Sequence, residues 1–289
     1  MTDNWFIAIV LAKSLLYIST TLIVGERFHQ LHTLSDSFSP SQPAASGRLF
    51  TAIGTGLLSS VLLFLFTTAE MADNGFAGML DCMMLNIMWT AAPGDALLLR
   101  LSGFLLALLT LLPLFSSPVL NRFLFWLSTG CLSLSFIATG HIAGAPVWEK
   151  LALIFHIGIA WWWFGALCPM LSLCKQQRAA SLREGLENFG CQAGYLLPVL
   201  LFAGITMAIT RFPDPATLYT TAYGKLFLLK VGIVALILLI ALRHKYISVP
   251  ALSGSQHIQS FKTSLTAEIV VAISIFMTTA ILTSSASLG

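Results

Sequence analysis

Two histidines in the stretch TGHIAGAPVWEKLALIFHIGIAWWWFG carry the side chains best suited to chemistry in this chain. His141 closes one long apolar segment, in its last turn, and His156 lies early in the next. The chain has only six histidines, and imidazole is a side chain that can hold a transition metal or move a proton near neutral pH. The plainer reading is that each ring hydrogen-bonds a neighbouring helix. A second group of side chains is soft. Met79, Cys82, Met83, Met84 and Met88 fall within EMADNGFAGMLDCMMLNIMWTAAPGD, one connection between apolar segments. Met79/Met83 and Met84/Met88 are spaced i,i+4, so each pair would share a face of a helix. Thioether and thiolate ligands favour copper(I). The same methionines would equally suit a short interfacial helix filled with adaptable apolar side chains.

Charge inside apolar segments is the third signal. Lys13 and Lys230 fall within such segments and Glu268 opens another. Unpaired ions in lipid are costly, so these groups should face the bundle interior, water or a partner. Glu268 is expected to meet Arg243 or Lys245, which lie on the same side of the membrane. The run Trp161–Trp162–Trp163–Phe164 is mid-segment rather than interfacial, and Trp163 shares a face with His156. Gly140, Gly144, Gly158 and Gly165 would permit close helix contact. His29 and His32 form an HxxH that reads as a solvated loop pair. His244, among basic residues, reads as a poor cation ligand.

The elements that must position these groups are membrane helices. Apolar residues make up 57% of 289 and charged residues 9%, against about 25% charged in soluble chains. Long apolar runs, without strand alternation, exclude an outer-membrane barrel. The sequence predicts an all-α polytopic membrane protein, a single eight-helix transmembrane bundle over 1–289. Its spans are expected at about 5–25, 49–69, 97–116, 120–140, 151–173, 190–210, 223–242 and 265–284. The first is expected to be a retained helix rather than a signal peptide, since it lacks a basic n-region and a cleavage site. The connection 250–262 reads as polar and flexible.

Basic residues set the orientation. Arg27, Arg48, Arg122, Lys175, Arg178, Arg183, Arg243, Lys245 and Lys262 fall at one side. The positive-inside rule puts that side in the cytoplasm and both termini in the periplasm. Acidic residues gather outside, where they would draw cations. The net charge of +3 is too small for nucleic-acid binding. No GxxxxGK[ST] is present, so no nucleotide engine is expected. The five cysteines contain no CxxC and, Cys82 apart, read as packing residues.

The stretches TGHIAG, FHIGIAWWWFGALCPM and TAYGKLFLLKVGIVALILLIALRHKYISVP, with LTAEIVV after them, resemble the bacterial copper resistance protein D family, inner-membrane proteins of copper transport and resistance. The resemblance implies roles for His141, His156, Trp163, Gly165, Tyr223, Gly224, Lys230 and Glu268. It also implies copper as the metal and a periplasmic copper-binding protein as partner. The chain departs from that pattern in places. Leu16 stands where relatives often have a histidine, Ala166 replaces a glycine, and the seventh segment exits through Arg243-His244-Lys245-Tyr246.

These observations lead to inner-membrane copper transport without covalent catalysis, directed from periplasm to cytoplasm, as copper(I) or copper(II). Two alternatives stay open. One is a b-haem or quinone-linked redox protein, since two histidines can be axial haem ligands. The other is a non-transporting copper-binding partner of a periplasmic chaperone.

Overall fold

The structure, a computed structural model, describes residues 3–32, 43–112, 117–174, 179–212 and 214–285. Lys175 and Arg178, used above to set the orientation, lie outside the described residues. Among the described residues the fold is all-α, with eight helices long and apolar enough to cross a membrane. Helix α1 (Asp3–Thr21) runs through a π turn at Leu22–Glu26 into α2 (Arg27–His32). The remaining long helices are α3 (Pro43–Ala72), α5 (Ala92–Leu111), α6 (Pro118–Ile137), α7 (Val147–Cys174), α8 (Ala179–Arg211), α10 (Ala222–Arg243) and α11 (Ser255–Ser285). Short helices α4 (Cys82–Trp89) and α9 (Thr217–Thr220) lie between them.

Several helices outrun their apolar stretches. The first span extends to Leu31 rather than about 25. The polar residues in that extension are not loop residues, because tertiary partners cover them. Glu26, 1% exposed, pairs with Arg48 at 2.7 Å. Arg27 donates to Thr110 O at 2.7 Å and to Asn121 Oδ1 at 3.0 Å. It thereby satisfies a carbonyl of the last turn of α5 and joins that end to α6. The connection expected to be flexible at 250–262 is helical from Ser255. Ile258, Phe261, Leu265, Glu268, Ala272 and Ile275 are all buried, at the three- and four-residue spacing of one helix face.

Two apolar cores share a wall. One joins α1, α3, α5 and α6 and includes Trp161. The other joins α7, α8, α10 and α11 and includes Trp162 and Trp163. Helix α7 therefore faces both cores with successive tryptophans. Helix α1 reaches it at Gly25 in the π turn. A Cβ on Gly25 would lie 2.6 Å from Gly165 Cα and would overlap Trp161 O. Gly165 thus makes the close contact expected of it. Gly140, Gly144 and Gly158 have open space around them instead. Helices α8 and α10 are the least buried of the eight spans, and their outward Phe202, Ile205, Leu229 and Leu239 form the lipid-facing rim of the bundle.

Candidate functional site

The two sequence-predicted histidines are set apart by the end of α6. That helix stops at Ile137. Gly140 then turns the chain with φ +69°, a conformation suited to glycine. His141 follows in a separate 3-10 turn, Gly140–Ile142, not in the last turn of the helix. Its side chain lies outside the described residues. His156 stands nine residues after Val147, the first residue of α7, roughly 13 Å further along the axis at 1.5 Å per residue.

His156 is held from α8. Its Nδ1 lies 3.0 Å from Leu200 O. A carbonyl can only accept, so Nδ1 carries the proton and, in the neutral ring, Nε2 keeps its lone pair. Such a backbone hydrogen bond fixes the tautomer and orientation of a metal-binding imidazole. Among the described residues, Nε2 has no hydrogen-bond partner. Gly204 leaves the room that the ring fills, since a Cβ there would lie 3.1 Å from His156 Cε1. Lys230 of α10 is close enough for its charge to act on the ring. The arrangement joins α7 and α8 around one available nitrogen.

The methionines divide. Met79 belongs to a 3-10 turn, Gly75–Leu80, and Met83 to α4. Asp81 between them is extended and caps α4 by accepting from Met84 N at 2.9 Å. The i,i+4 reading of Met79/Met83 as one helix face is therefore corrected: the cap starts a new helix between them. Met84 and Met88 do share a face, and it packs on Phe64 and Leu97. Helix α4 therefore packs against the flanks of α3 and α5. Cys82 and Met83 are exposed. Among the described residues, no three His, Cys, Asp or Glu side chains converge to hold a metal.

The charged residues found partners that their spacing did not name. Lys13 donates to Thr283 O at 3.0 Å, beside a Tyr17 Oη–Thr283 Oγ1 hydrogen bond of 3.1 Å. Glu268 meets neither Arg243 nor Lys245 but His244, whose Nδ1 lies 2.9 Å from Oε2. Successive residues on a helix point about 100° apart, so only one of the three faces α11. The other ring nitrogen of His244 lies 2.7 Å from Ser264 Oγ. His244 is thus a buried group with both ring nitrogens hydrogen-bonded. Trp163, 2% exposed, stacks on Phe164 as a core residue. Tyr223 packs on Phe212 and carries the Arg211 guanidinium over its ring. Beside it, Gly224 N donates to the Thr221 cap, which makes this segment the tight start of α10.

His29 is buried, not solvated. It is 2% exposed, and its Nε2 lies 2.9 Å from Trp162 O. The ring sits among Phe28, Trp162 and Phe189. Its apolar neighbours Phe28 and Leu31 were the available signal that His29 is not solvated.

The Glu268 pair gives a stability test. Removing one partner so that a buried donor is left unsatisfied costs about 1–3 kcal/mol. E268A should lower the melting temperature of the purified protein strongly. E268Q, whose amide oxygen still accepts from His244, should lose much less. Equal melting of E268A and the unmodified chain would mean that the pair does not form.

Residues 183–282 match the family model described as Copper resistance protein D. That segment, which holds α10, most of α8 and nearly all of α11, is where the chain is similar to the family. Tyr223, Gly224, Lys230 and Glu268 fall inside the match, whereas His141 and His156 precede it. The chain is also 30% identical over 156 residues to "Inner membrane protein YebZ" of Escherichia coli (strain K12). That alignment covers 50% of this chain and 52% of the relative, so the chain matches about half the length of that protein. No solved structure matches the chain.

Proposed function

We propose that this membrane protein belongs to the copper resistance protein D family and moves copper across the bacterial inner membrane, from periplasm to cytoplasm, as part of copper homeostasis and resistance. The family description names copper, and the similar Escherichia coli protein is named for the inner membrane. The observation that carries the reading is His156. Its tautomer is fixed by Leu200 O, so that Nε2 is the accepting nitrogen, and neutral imidazole suits copper in either common oxidation state.

Copper is the cargo in this scheme. A periplasmic copper-binding protein delivers it to the outer face, where exposed Cys82 and Met83 are soft first contacts. His141 and His156 then act as successive stations rather than as two ligands of one ion, given their axial separation. Transfer proceeds by ligand exchange, without covalent chemistry. Lys230 near His156 weakens the hold on a cation, and a conducting site must release what it binds. Trp163, Tyr223, Glu268 and Lys13 hold the helices that frame the route.

Purified protein in sealed liposomes tests this directly. With copper(I) supplied outside, saturable influx should exceed that of empty liposomes at least tenfold, with bound metal measured on the same sample. Copper bound without influx would replace transport by the non-transporting alternative.

A further inference from the structure

Helix α10 ends in a π turn, His244–Ser248. His244 faces Glu268 of α11, and Lys245 faces α8 instead. The Lys245 stem lies on Gly190, where an added Cβ would be 3.7 Å from Cγ, and its Nζ lies on Gly194, where an added Cβ would be 3.0 Å away. The side chain therefore runs along α8 from Gly190 toward the middle of that helix. Side chains lean toward the N-terminus of their own helix, which here points into the span. Snorkelling would take the ammonium the other way, out to water. The carboxylate in that direction, Glu187, lies two turns before Gly194, roughly 10 Å along the axis, and is held by Arg183 at 2.7 Å. Among the described residues Lys245 forms no ion pair and no hydrogen bond. Its one ring contact is Tyr246, 5.7 Å from Nζ, the far limit of a cation–π attraction. An unpaired ammonium carried past the last charges of α8 is costly in a bilayer unless an anion meets it.

We propose that Lys245, seated on Gly190 and Gly194, binds the headgroup phosphate of an anionic phospholipid from the leaflet on the basic side of the bundle. The seam is open from the side. Helix α8 packs chiefly on α7 and α10 on α11, and α8 and α10 are the least buried spans. Tyr195 and Tyr246 beside the seam are exposed, and tyrosine suits a boundary that is apolar at one end and wet at the other. Exposed Phe202, Leu239 and Leu242 continue the two helices toward the bilayer centre, where acyl chains would lie. A phospholipid brings its phosphate to this depth with its chains already in the membrane, whereas a free ion would have to leave water. The ammonium supplies the point charge for a phosphate oxygen, and the glycines leave the room in which the two meet. The site is independent of the copper reading, since it uses no residue of that route.

Native mass spectrometry of the full purified chain tests this, with phosphatidylglycerol and phosphatidylcholine of the same acyl chains added in turn to neutral detergent. The unmodified chain should retain phosphatidylglycerol as a one-lipid adduct at least fivefold more than phosphatidylcholine. K245Q should lose that preference, and its melting temperature without lipid should not fall, because Lys245 holds no other group. G194A, whose Cβ displaces the ammonium, should weaken the preference to a smaller extent. R243Q removes an exposed cation from the same end of α10 and should keep the adduct. Equal retention of the two lipids by the unmodified chain overturns the proposal. So does equal loss in K245Q and R243Q, which would assign general attraction to a basic surface. A dimer without lipid that K245Q alone abolishes also overturns it, and gives the seam to a second copy of the chain.

Discussion

Cells producing H156A should accumulate copper no faster than cells lacking the protein, at matched membrane abundance. The expected loss is at least tenfold, because the substitution removes the one nitrogen whose availability follows from its surroundings. Leu200 O fixes the proton on Nδ1, and no other side chain in that arrangement can replace Nε2 as a donor to copper. Changes in groups that merely orient a metal-binding imidazole already cost about 10–100-fold in affinity or activity. G204A offers a graded version. Its Cβ would meet the ring at 3.1 Å, so the ring must shift and the Leu200 hydrogen bond must lengthen. Uptake should then fall between the unmodified chain and H156A. H141A should cost less than H156A, since His141 sits on a turn outside the helix. Unchanged uptake in the H141A/H156A double variant would remove both imidazoles from the route. The melting temperature of H156A should stay close to that of the parent, which separates loss of a ligand from loss of the fold.

The number and order of spans were legible because eight apolar runs are dictated by lipid. Their lengths were not, because hydropathy registers contact with lipid and not contact with another helix. Glu26, Arg27 and His29 are polar and yet helical, since Arg48, the end of α5 and Trp162 O receive them. The polar start of α11 hid a helix for the same reason, although the spacing of Ile258, Phe261 and Leu265 was there to be read. The methionine pairs show a different limit. Spacing alone placed Met79 and Met83 on one face, but Asp81 is a capping residue and its side chain starts a helix between them. Capping chemistry outranks periodicity over so short a segment. For the charged groups, sequence located each residue along the membrane normal but not around its helix. Glu268 is expected from its position to meet Arg243 or Lys245, and the rotation of α10 instead presents His244 to it.

The largest structural effect should come from a single methyl group. G25A or G165A should prevent accumulation of folded protein, whereas G158A, on the same helix α7, should not. Each of the first two positions meets backbone rather than a movable side chain. A Gly25 Cβ would lie 2.6 Å from Gly165 Cα, and a Gly165 Cβ would lie 2.7 Å from Gly25 C and 2.8 Å from Thr21 O. No rotamer change relieves a backbone clash, so the helices must part, at a cost of about 3 kcal/mol or more. Gly158 has nothing within reach of an added Cβ. There alanine should be neutral or favourable by about 0.5–1 kcal/mol through helix propensity. The consequence reaches beyond stability. The contact at Gly25 sits in the π turn, and that turn leads directly into Glu26, Arg27 and His29. Parting α1 from α7 would withdraw His29 from Trp162 O and Glu26 from Arg48 together. Thermal melting and protease resistance of the three variants in detergent should therefore rank G158A with the unmodified chain and the other two far below it. Equal resistance of G25A and G158A would place the crossing of α1 and α7 somewhere other than the π turn.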